Sequence, residues 1–549
     1  MAELLLGPIL RYVDSTSATV WIETDEPSSV SILGRRAETF CVEGHHYGLV
    51  VLEGLEPDTG YEYGVELEGR RVWPLDDQPP SYIRTLDPQG SVRVVFGSCR
   101  AAAPHHPPYS LPRSKATEGR EVDALYAYAL RMMHRDPSEW PHVLLMLGDQ
   151  VYVDESFPET RKFIEERRDT SIPPGDEVSN FEEYTHLYYE TWGEPAVRWM
   201  LSTVSVSMIF DDHDIADDWN ISELWVKEMR RLPWWQNRIE AGLMTYWLYQ
   251  HLGNLSPGEL ERSELLKHVR EMSDGGPVLR DFAQQADLSL DATNNRFSYS
   301  RDLGRARLVT IDARCGRILE GSRREMIDDA DWEWIEEQFA GDFKHLIIGT
   351  SLPVLLPHGI HDFEAWNEAI CAGRWGSYAA RVGERLRRAI DLEHWAAFGS
   401  SFERLARLIE DVACGRIGDP PASISILSGD VHYSYLARAR FPGPAKSSVY
   451  QAVCSPLRNP VSRSVYGGFR FAQSSVGATL GRVLARSARV RRPRFDWSIA
   501  DGPWYHNDIA TLELSDASAR VLFQRSLPSP MDSPRLETVC EREILDADS

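Results

Sequence analysis

Four short polar motifs constrain this chain most, because each one follows an apolar run with the character of a β-strand. In chain order they are Gly97-Ser98-Cys99-Arg100, Gly148-Asp149-Gln150-Val151-Tyr152, Asp211-Asp212-His213-Asp214 and Gly429-Asp430-Val431-His432. Ligands of open α/β sheets bind beyond the carboxyl ends of the strands. We therefore expect the four motifs to meet at one edge of a single sheet and to form a site there.

The strands that carry the motifs belong to a longer alternation of strand-like and helical segments. The strand-like runs are residues 92–96, 142–147, 204–210, 307–311, 345–348 and 424–427. Several of them are largely apolar, which is typical of strands covered on both faces by helices. Residues 91–526 are therefore predicted to be an α/β catalytic domain, a layered β-sheet core with flanking helices.

The first 90 residues have a different pattern. Short β-rich runs, partly alternating, are separated by Pro, Gly and Asp turns, which favours a β-sandwich. The segment 55–63, Leu-Glu-Pro-Asp-Thr-Gly-Tyr-Glu-Tyr, resembles the strand-corner signature of fibronectin type III modules. At the other end, a closing hairpin is expected before residue 526, and residues 527–549 are predicted to be a polar tail.

Charge and cysteine content limit the class of protein. The net charge of −24 argues against general nucleic-acid binding, which needs a basic face, although a local positive pocket for one phosphate is compatible with it. Seven Cys residues without a CxxC pair favour a reducing compartment. Neither a signal peptide nor a membrane-spanning run is evident, so we expect a cytoplasmic protein without membrane contact. A secreted mature form whose leader has been removed fits the same observations, and no feature indicates the oligomeric state.

Three residues of the first two motifs are candidate metal ligands. The carboxylate of Asp149 could bridge two cations, although a lone Gly-Asp after a strand usually marks a turn. Tyr152 follows three residues later, and its phenolate would suit a hard cation such as Fe(III). Cys99 could be a thiolate ligand rather than an inert buried thiol. Each residue alone has an ordinary structural explanation.

The other two motifs add carboxylates and imidazoles. Asp212 and its acidic neighbours would repel one another unless cations or hydrogen bonds compensate them. His213 could be a metal ligand or a general acid, oriented by a nearby carboxylate such as Asp214. Asp430 and His432 lie two residues apart, so both can face the same side of an extended segment. Together the motifs indicate a two-metal site far more strongly than any one of them.

In this order the motifs resemble those of the calcineurin-like metallophosphoesterase superfamily. Cys99, Asp149-x-x-Tyr152, Asp-Asp-His and Gly-Asp-x-His resemble one branch of it, the PhoD-like alkaline phosphatase D family. The resemblance implies a centre with Fe(III) and Ca(II). Carried over by motif, the iron ligands would be Cys99, Asp149, Tyr152 and His432. Asp149 would bridge to calcium, with Asp212 and Asp430 as further ligands.

Two positions depart from the family pattern. Asp214 stands where family members often have Glu, which keeps the carboxylate. Asp217-Asp218 stands where the family often has paired Asn, one of them a calcium ligand. Asp218 is therefore a candidate ligand that adds negative charge, and other divalent cations could occupy the second position.

Arginines offer candidate contacts for an anionic substrate. Arg100 and Arg314 could bind phosphate through bidentate hydrogen bonds, although most arginines of this kind form structural ion pairs. A further cluster of Arg lies between residues 482 and 494. It is either a solvated helix face with a basic turn, or a rim that attracts an anionic substrate.

The sequence thus predicts metal-dependent hydrolysis of phosphate esters, either monoesters or diesters. Two cations would lower the pKa of a bound water, and the resulting hydroxide would attack phosphorus in line. His213 would protonate the leaving oxygen. Two other classes stay open: a non-catalytic metal-containing binding protein with the same fold, and a metallohydrolase that acts on a non-phosphate ester.

Overall fold

A computed structural model gives the fold of the chain. It describes residues 1–75, 78–288, 296–321, 323–461, 466–516, 518–528 and 534–545. Within these ranges the structure is a mixed α/β fold preceded by a β-rich region, so the predicted fold class is confirmed.

The first part of the chain forms short antiparallel strands. They are β1 (Leu4–Val13), β2 (Ser17–Thr24), β3 (Ser29–Ile32), β4 (Arg35–Glu38), β5 (Phe40–Val42), β6 (His45–Glu53), β7 (Gly60–Tyr63), β8 (Val65–Leu67), β9 (Arg70–Trp73) and β10 (Ser81–Arg84). One sheet has the order β1-β2-β6-β5 and a second has the order β4-β3-β8-β9, while β7 pairs with β10. Side chains of both sheets, including Val20, Val30 and Trp73, share one apolar cluster, as expected for a β-sandwich.

The remaining strands form two larger sheets. They are β11 (Val92–Gly97), β12 (Val143–Leu147), β13 (Ser205–Ile209), β14 (Tyr299–Leu303), β15 (Ala306–Ile311), β16 (His345–Thr350), β17 (Ser423–Ser428), β18 (Ser434–Arg440), β19 (Ser448–Val453), β20 (Asp496–Trp504), β21 (Asp508–Ser515), β22 (Ser518–Leu527) and β23 (Arg535–Leu545). The sheet orders are β13-β12-β11-β21-β22-β23 and β14-β15-β16-β17-β19-β18-β20. Leu145 of the first sheet and Ile347 and Leu427 of the second belong to one buried cluster, so the sheets pack face to face.

Helices cover the outer faces of these sheets. They are α1 (Ala124–Met132), α2 (Pro158–Arg167), α3 (Phe181–Trp192), α4 (Pro195–Thr203), α5 (Glu223–Met229), α6 (Trp235–Thr245), α7 (Pro257–Arg262), α8 (Glu264–Glu271), α9 (Gly276–Leu288), α10 (Asp329–Gln338), α11 (His358–Cys371), α12 (Ser377–Ala389), α13 (Gly399–Ala413), α14 (Tyr466–Gln473) and α15 (Ser475–Ser487). Within the described ranges, every helix is too short or too polar to span a lipid bilayer.

The four polar motifs follow the carboxyl ends of β11, β12, β13 and β17. The first three strands are parallel neighbours in the six-stranded sheet. The fourth, β17, is a parallel strand of the seven-stranded sheet. The expectation of a single sheet is thus wrong, because strand character in the sequence does not record which sheet a strand joins. The site lies where the ends of the two facing sheets meet.

The end of the chain also differs from its sequence interpretation. Residues 535–545, expected to lie in a polar tail, form the edge strand β23, which pairs antiparallel with β22. Most of its side chains are exposed or half-buried, and their polarity resembles that of a tail. Polar and charged side chains are a common feature of edge strands because they discourage pairing with another chain.

The β-sandwich is not a separate module in its packing. Trp21 and Tyr47 belong to the same buried cluster as the six-stranded sheet that contains β11, β12 and β13. Arg11 of β1 is fully buried, and its guanidinium donates to backbone carbonyls of Tyr249 and Gln250. The guanidinium also donates to Met208 and Asn254, and Nε is buried without a partner among the described residues. Most donors of this cation are therefore satisfied, which burial otherwise makes costly.

A second polar contact joins the two parts of the chain through a histidine. His45 of β6 lies between two carboxylates, with Nδ1 2.9 Å from Glu23 and Nε2 3.0 Å from Glu182 of α3. Burial lowers the pKa of His45, but the hydrogen bonds and charges of Glu23 and Glu182 outweigh it, so the pKa is raised. The protonated imidazole therefore connects the sandwich to α3.

We expect this contact to make stability depend on pH. Since the pKa of His45 is higher in the folded than in the unfolded chain, its stabilisation is complete below the unfolded value and is lost as pH rises through the folded value. Urea unfolding between about pH 6 and pH 9 should show a fall in the free energy of unfolding that His45→Gln reduces. His134→Gln, at an exposed histidine outside the sandwich, is the control and should leave the fall unchanged. Equal falls in all three proteins would contradict the assignment.

Candidate metal centre

The loops after β11, β12 and β17 adopt an unusual backbone. Cys99, Asp149, Asp430 and His432 have φ values of 55°, 54°, 64° and 55°. This left-handed region is unfavourable for residues with a side chain, and it concentrates at functional sites. The backbone reverses sharply at each strand end and directs the side chains toward one centre.

Glycines allow these loops to approach one another closely. A Cβ at Gly148, which has φ of 98°, would lie 2.5 Å from Cβ of Asp211. A Cβ at Gly429 would overlap the side chain of Ser98. The motif glycines are therefore required by packing of loop against loop, which places the ligand residues within reach of one another.

One group of donors contains a thiol, a carboxylate and an imidazole. Ligand atoms of Cys99, Asp149 and His432 all lie within 4.8 Å of one another. The phenol oxygen of Tyr152 is 3.4 Å from Oδ2 of Asp149. Burial lowers the pKa of His432 to about 4, so its imidazole is neutral and able to coordinate. The structure thus brings together the four residues assigned to iron by the family resemblance.

A second group consists of carboxylates. Asp211, Asp212 and Asp430 have ligand atoms within 4.8 Å of one another, and Asp149, Asp212 and His213 form a linking group at the same spacing. Hard oxygen donors of this kind suit Ca²⁺ and similar cations. Asp211, which the sequence analysis did not select, lies among the candidate ligands.

The buried carboxylates fit a cation chemically. Among the described residues, Oδ1 of Asp149 and Oδ2 of Asp211 are buried without a hydrogen-bond partner. Burial and the charges of neighbouring Asp residues raise the pKa of Asp149 and of Asp211 well above the ordinary value. The charge of His213 opposes this rise at Asp149, and the charge of Arg314 opposes it at Asp211. Burial and the charges of Asp149 and Asp430 likewise raise the pKa of Cys99. Cations between these groups would satisfy the orphan oxygens and reverse the repulsion.

His213 is oriented by a residue that the sequence analysis missed. Its Nδ1 lies 2.8 Å and 2.9 Å from the two carboxylate oxygens of Asp154. The ring packs on Tyr152 with centroids 4.5 Å apart. Burial lowers the pKa of His213, but the charges of Asp154 and Asp212 outweigh it, so the pKa lies well above its ordinary value.

Asp214, predicted to orient His213, has another position. Its carboxylate accepts from the backbone N–H of Asp149 at 3.0 Å and of Asp211 at 2.9 Å, and from the Gln250 amide at 2.9 Å. It is the third residue of the short turn 212–214 and closes a capping box with Asp211. The carboxylate is therefore committed to holding two motif loops and faces away from His213.

Both arginines predicted to bind substrate are buried in ion pairs. Arg100 bonds Asp123 at 2.9 Å and the carbonyl of Thr191 at 2.7 Å, and Asp123 is also the N-cap of α1. Arg314 pairs with Asp211, Asp212 and Glu393. Neither guanidinium is available to a substrate, and Arg314 neutralises part of the carboxylate group instead.

Asp217 and Asp218 differ from each other in placement. Asp217 is largely exposed, and its nearest oxygen is 3.8 Å from Nε2 of His213. Asp218 donates its backbone N–H to Asp212 at 2.9 Å, but its carboxylate belongs to none of the donor groups among the described residues. Burial and the charges of Glu393 and Asp391 raise the pKa of Asp218 to about 9. Oδ1 of Asp218 is buried without a hydrogen-bond partner among the described residues, and the ligand role of Asp218 stays a prediction.

Further polar residues reach the site from loops without a recognisable motif. His394 lies 3.1 Å from Asp430 through Nε2 and 2.6 Å from Glu364 through Nδ1. Arg113 donates to Asn459 at 3.0 Å and is close enough to lower the pKa of His432. His394 and Arg113 do not follow an apolar strand, so a search for polar residues at strand ends could not find them. Asp154 lies five residues after Asp149, and the same search could have found it.

Comparison with known families gives two matches. A domain of unknown function, DUF7800, matches residues 1–85, and the PhoD-like phosphatase model matches residues 117–467. The second match covers the strand-end motifs from Asp149 to His432. A search of curated proteins finds no match.

A solved structure has the same overall fold. The structure described as "Structure of PhoD" aligns with a TM-score of 0.60 at 11% identity, covering 98% of this chain and 92% of that chain. The alignment extends over the β-sandwich as well as the two sheets. Identity this low establishes the shared fold and leaves the chemistry to be argued from the residues.

The left-handed backbone at Asp430 gives a test of strain in the site. Gly has no steric cost at φ of 64°, so Asp430→Gly should be more stable than Asp430→Ala by about 1 kcal/mol in chelator. Asp211 is the matched control, since it is a buried carboxylate of the same centre with φ of −132°. There the order should reverse, with Ala the more stable. The same order at both positions, measured by urea unfolding, would contradict the strain.

Proposed function

The chain belongs to the PhoD-like phosphatase family, and from this we propose that it hydrolyses phosphate esters at the strand-end metal centre. The observation that carries the proposal is the chain of donor groups linked through Asp149 and Asp212, with buried carboxylate oxygens that lack a partner. Such a centre suits two cations a short distance apart, the arrangement used by many phosphoester hydrolases.

The two metals are proposed to be Fe(III) and Ca(II). Cys99, Asp149, Tyr152 and His432 would hold the iron, because thiolate, phenolate and imidazole donors favour a transition metal. Asp149 would also face the calcium, with Asp212 and Asp430 and with Asp211 beside them. When bound, the two cations would supply an activated water and neutralise the charge of the phosphoryl oxygens.

His213 is proposed to be the general acid. Its Nδ1–H donates to Asp154, which fixes the ring and leaves Nε2–H as the proton donor. Burial lowers the pKa of His213, and the carboxylate of Asp154 acts in the opposite direction and favours the protonated ring. Nε2 has no hydrogen-bond partner within the described residues, so its proton is available to the leaving oxygen of a substrate.

Arg113 is proposed to take the substrate role first assigned to Arg100 and Arg314. Its side chain is exposed and is held by Asn459 at 3.0 Å. The guanidinium is close enough to Tyr152 and His432 for their charges to interact with it. An anion that approaches the metal centre would therefore be attracted to Arg113. An arginine with free donors can bind two phosphoryl oxygens at once.

Metal analysis with a substrate panel tests the proposal. Purified protein should contain iron and calcium by elemental analysis, and it should hydrolyse aryl phosphate monoesters or diesters. Chelation should abolish turnover, and metal readdition should restore it. Full activity in metal-free protein would contradict the mechanism. Bound metal without phosphoester turnover would favour the binding protein, and turnover of carboxylic esters alone would favour the non-phosphate hydrolase.

The general acid is tested by the identity of the leaving group. His213→Ala should lower kcat by about 10²–10⁴ for an alkyl phosphate, whose leaving oxygen needs a proton, and much less for a nitrophenyl phosphate. Asp154→Asn should show the same selectivity to a smaller degree, because it removes only the orienting carboxylate. Asp342→Asn, at an exposed carboxylate on another surface, is the control and should change kcat by less than about threefold. Equal losses with both leaving groups would contradict the acid role.

A further inference from the structure

A basic segment on the surface is unexplained by the catalytic site. Residues 466–495 contain seven Arg and no Asp or Glu, in a chain whose net charge is −24. Arg494 pairs with Glu410 and Glu403. The other six, which are Arg470, Arg482, Arg486, Arg489, Arg491 and Arg492, are exposed, and none of them is in an ion pair among the described residues. This is a concentrated positive charge on an acidic protein.

The helix α15 in this segment presents its large apolar residues outward. Its buried residues are small, namely Gly477, Gly481 and Ala485, and a Cβ at Gly481 would lie 3.0 Å from the Gly359 carbonyl oxygen of α11. The outer face carries Val476, Leu480 and Val483, exposed at 63%, 49% and 55%. A helix that only covers a core would have the opposite arrangement.

Neighbouring side chains extend the exposed apolar surface. Phe471 of α14 is 52% exposed. Trp375, before α12, is 48% exposed, and its Nε1–H points to the Ser487 carbonyl at the end of α15 at 3.5 Å. Tyr378 of α12 is 77% exposed. We use the name α15 face for three sets of residues taken together. They are Phe471, Trp375 and Tyr378, the three apolar residues of α15 named above, and the six exposed arginines that are in no ion pair among the described residues. A concentration of exposed apolar side chains on neighbouring helices is typical of an interaction site.

We propose that the α15 face docks on the surface of an anionic phospholipid bilayer. The helix would lie in the plane of the interface with Val476, Leu480 and Val483 at the headgroup–acyl boundary. Arginines beside this apolar stripe would bind lipid phosphates, and Trp375 and Tyr378 have the amphipathic rings typical of membrane interfaces. The sequence expectation of no membrane contact considered spanning segments and would be revised.

The charge of the face argues against other occupants. A second copy of the chain, docked through the same face, would bring six arginines against six arginines. Burial raises the pKa of Asp362 of α11, and the charges of His358, Arg482 and Arg486 oppose this rise. Glu384 and Glu403 line the groove beside Arg489, Arg491 and Arg492, but they pair with Arg387 and Arg494. The face therefore keeps a positive charge. A flat, deformable anionic surface also suits side chains that protrude from a convex helix.

A chain of aromatic ring contacts connects the metal centre with α14, the helix that precedes α15 and carries Phe471. Tyr433, the residue after His432, contacts Tyr505 with ring centroids 5.8 Å apart, and Tyr505 stacks on Tyr466 of α14 at 4.5 Å. Docking would therefore hold the rim of the metal centre close to the lipid headgroups. The docking itself does not depend on catalysis and can be measured without turnover.

Vesicle sedimentation of the full chain tests the proposal. We expect it to partition onto phosphatidylcholine vesicles with about 30% phosphatidylserine, to bind phosphatidylcholine alone weakly, and to dissociate in high salt. Arg482→Gln with Arg486→Gln should weaken partitioning roughly 30-fold. Leu480→Gln with Val483→Gln should weaken it by about 10-fold or more. Arg36→Gln and Ile172→Gln, at exposed positions of other surfaces, are the matched controls and should bind as the unchanged protein does.

Three results would overturn the proposal. One is equal partitioning of the unchanged protein onto neutral and anionic vesicles. Another is undiminished binding of both double variants, given thermal unfolding that matches the unchanged protein. The third is self-association without vesicles that the same variants abolish, which would assign the face to a second copy. Arg482→Lys with Arg486→Lys keeps the charge and should retain binding, which separates lost attraction from a damaged helix.

Discussion

Carboxylates crowded at the ends of two facing sheets determine how the centre of this protein is built. Asp149, Asp211 and Asp212 are buried and Asp430 is half-buried, and Asp212 belongs both to a donor group with Asp149 and to one with Asp211 and Asp430. Such a group is unfavourable unless positive charge compensates it. Arg314 neutralises Asp211 and Asp212 from one side, and His394 contacts Asp430 from the other. The part that remains uncompensated is the part that fits cations.

The same constraint explains why the arginines differ in role. Arg314, Arg100 and Arg11 are buried, and each donates to carboxylates or backbone carbonyls around it. They hold loops and domains in place and are closed to ligands. The arginines that remain available to anions are exposed, as at Arg113 and on the α15 face. Residue type alone therefore does not distinguish a structural guanidinium from a binding one.

The sequence contained enough to predict the fold class and the residues that approach each other at the strand ends. Apolar runs that end in polar motifs are local signals, and parallel strands bring their carboxyl ends together. What it could not supply were relations set by the packing of distant segments. The orienting role of Asp154 rather than Asp214 depends on the path of a short turn, and His394 enters from a loop with no strand before it. Tertiary packing likewise determines that Arg100 and Arg314 are buried. It also determines how the strands divide between two sheets.

Because the β-sandwich and the six-stranded sheet share one core, the sandwich cannot be removed without exposing that core. A fragment beginning near residue 90 would lose Trp21 and Tyr47 from the cluster beneath the six-stranded sheet. It would also leave the carbonyls of Tyr249 and Gln250 without the guanidinium of Arg11. Deletion of the sandwich would thus remove part of the core that supports the six-stranded sheet. It would at the same time remove any ligand binding by the sandwich. Point substitutions on its outer surface can separate these two contributions, whereas truncation cannot.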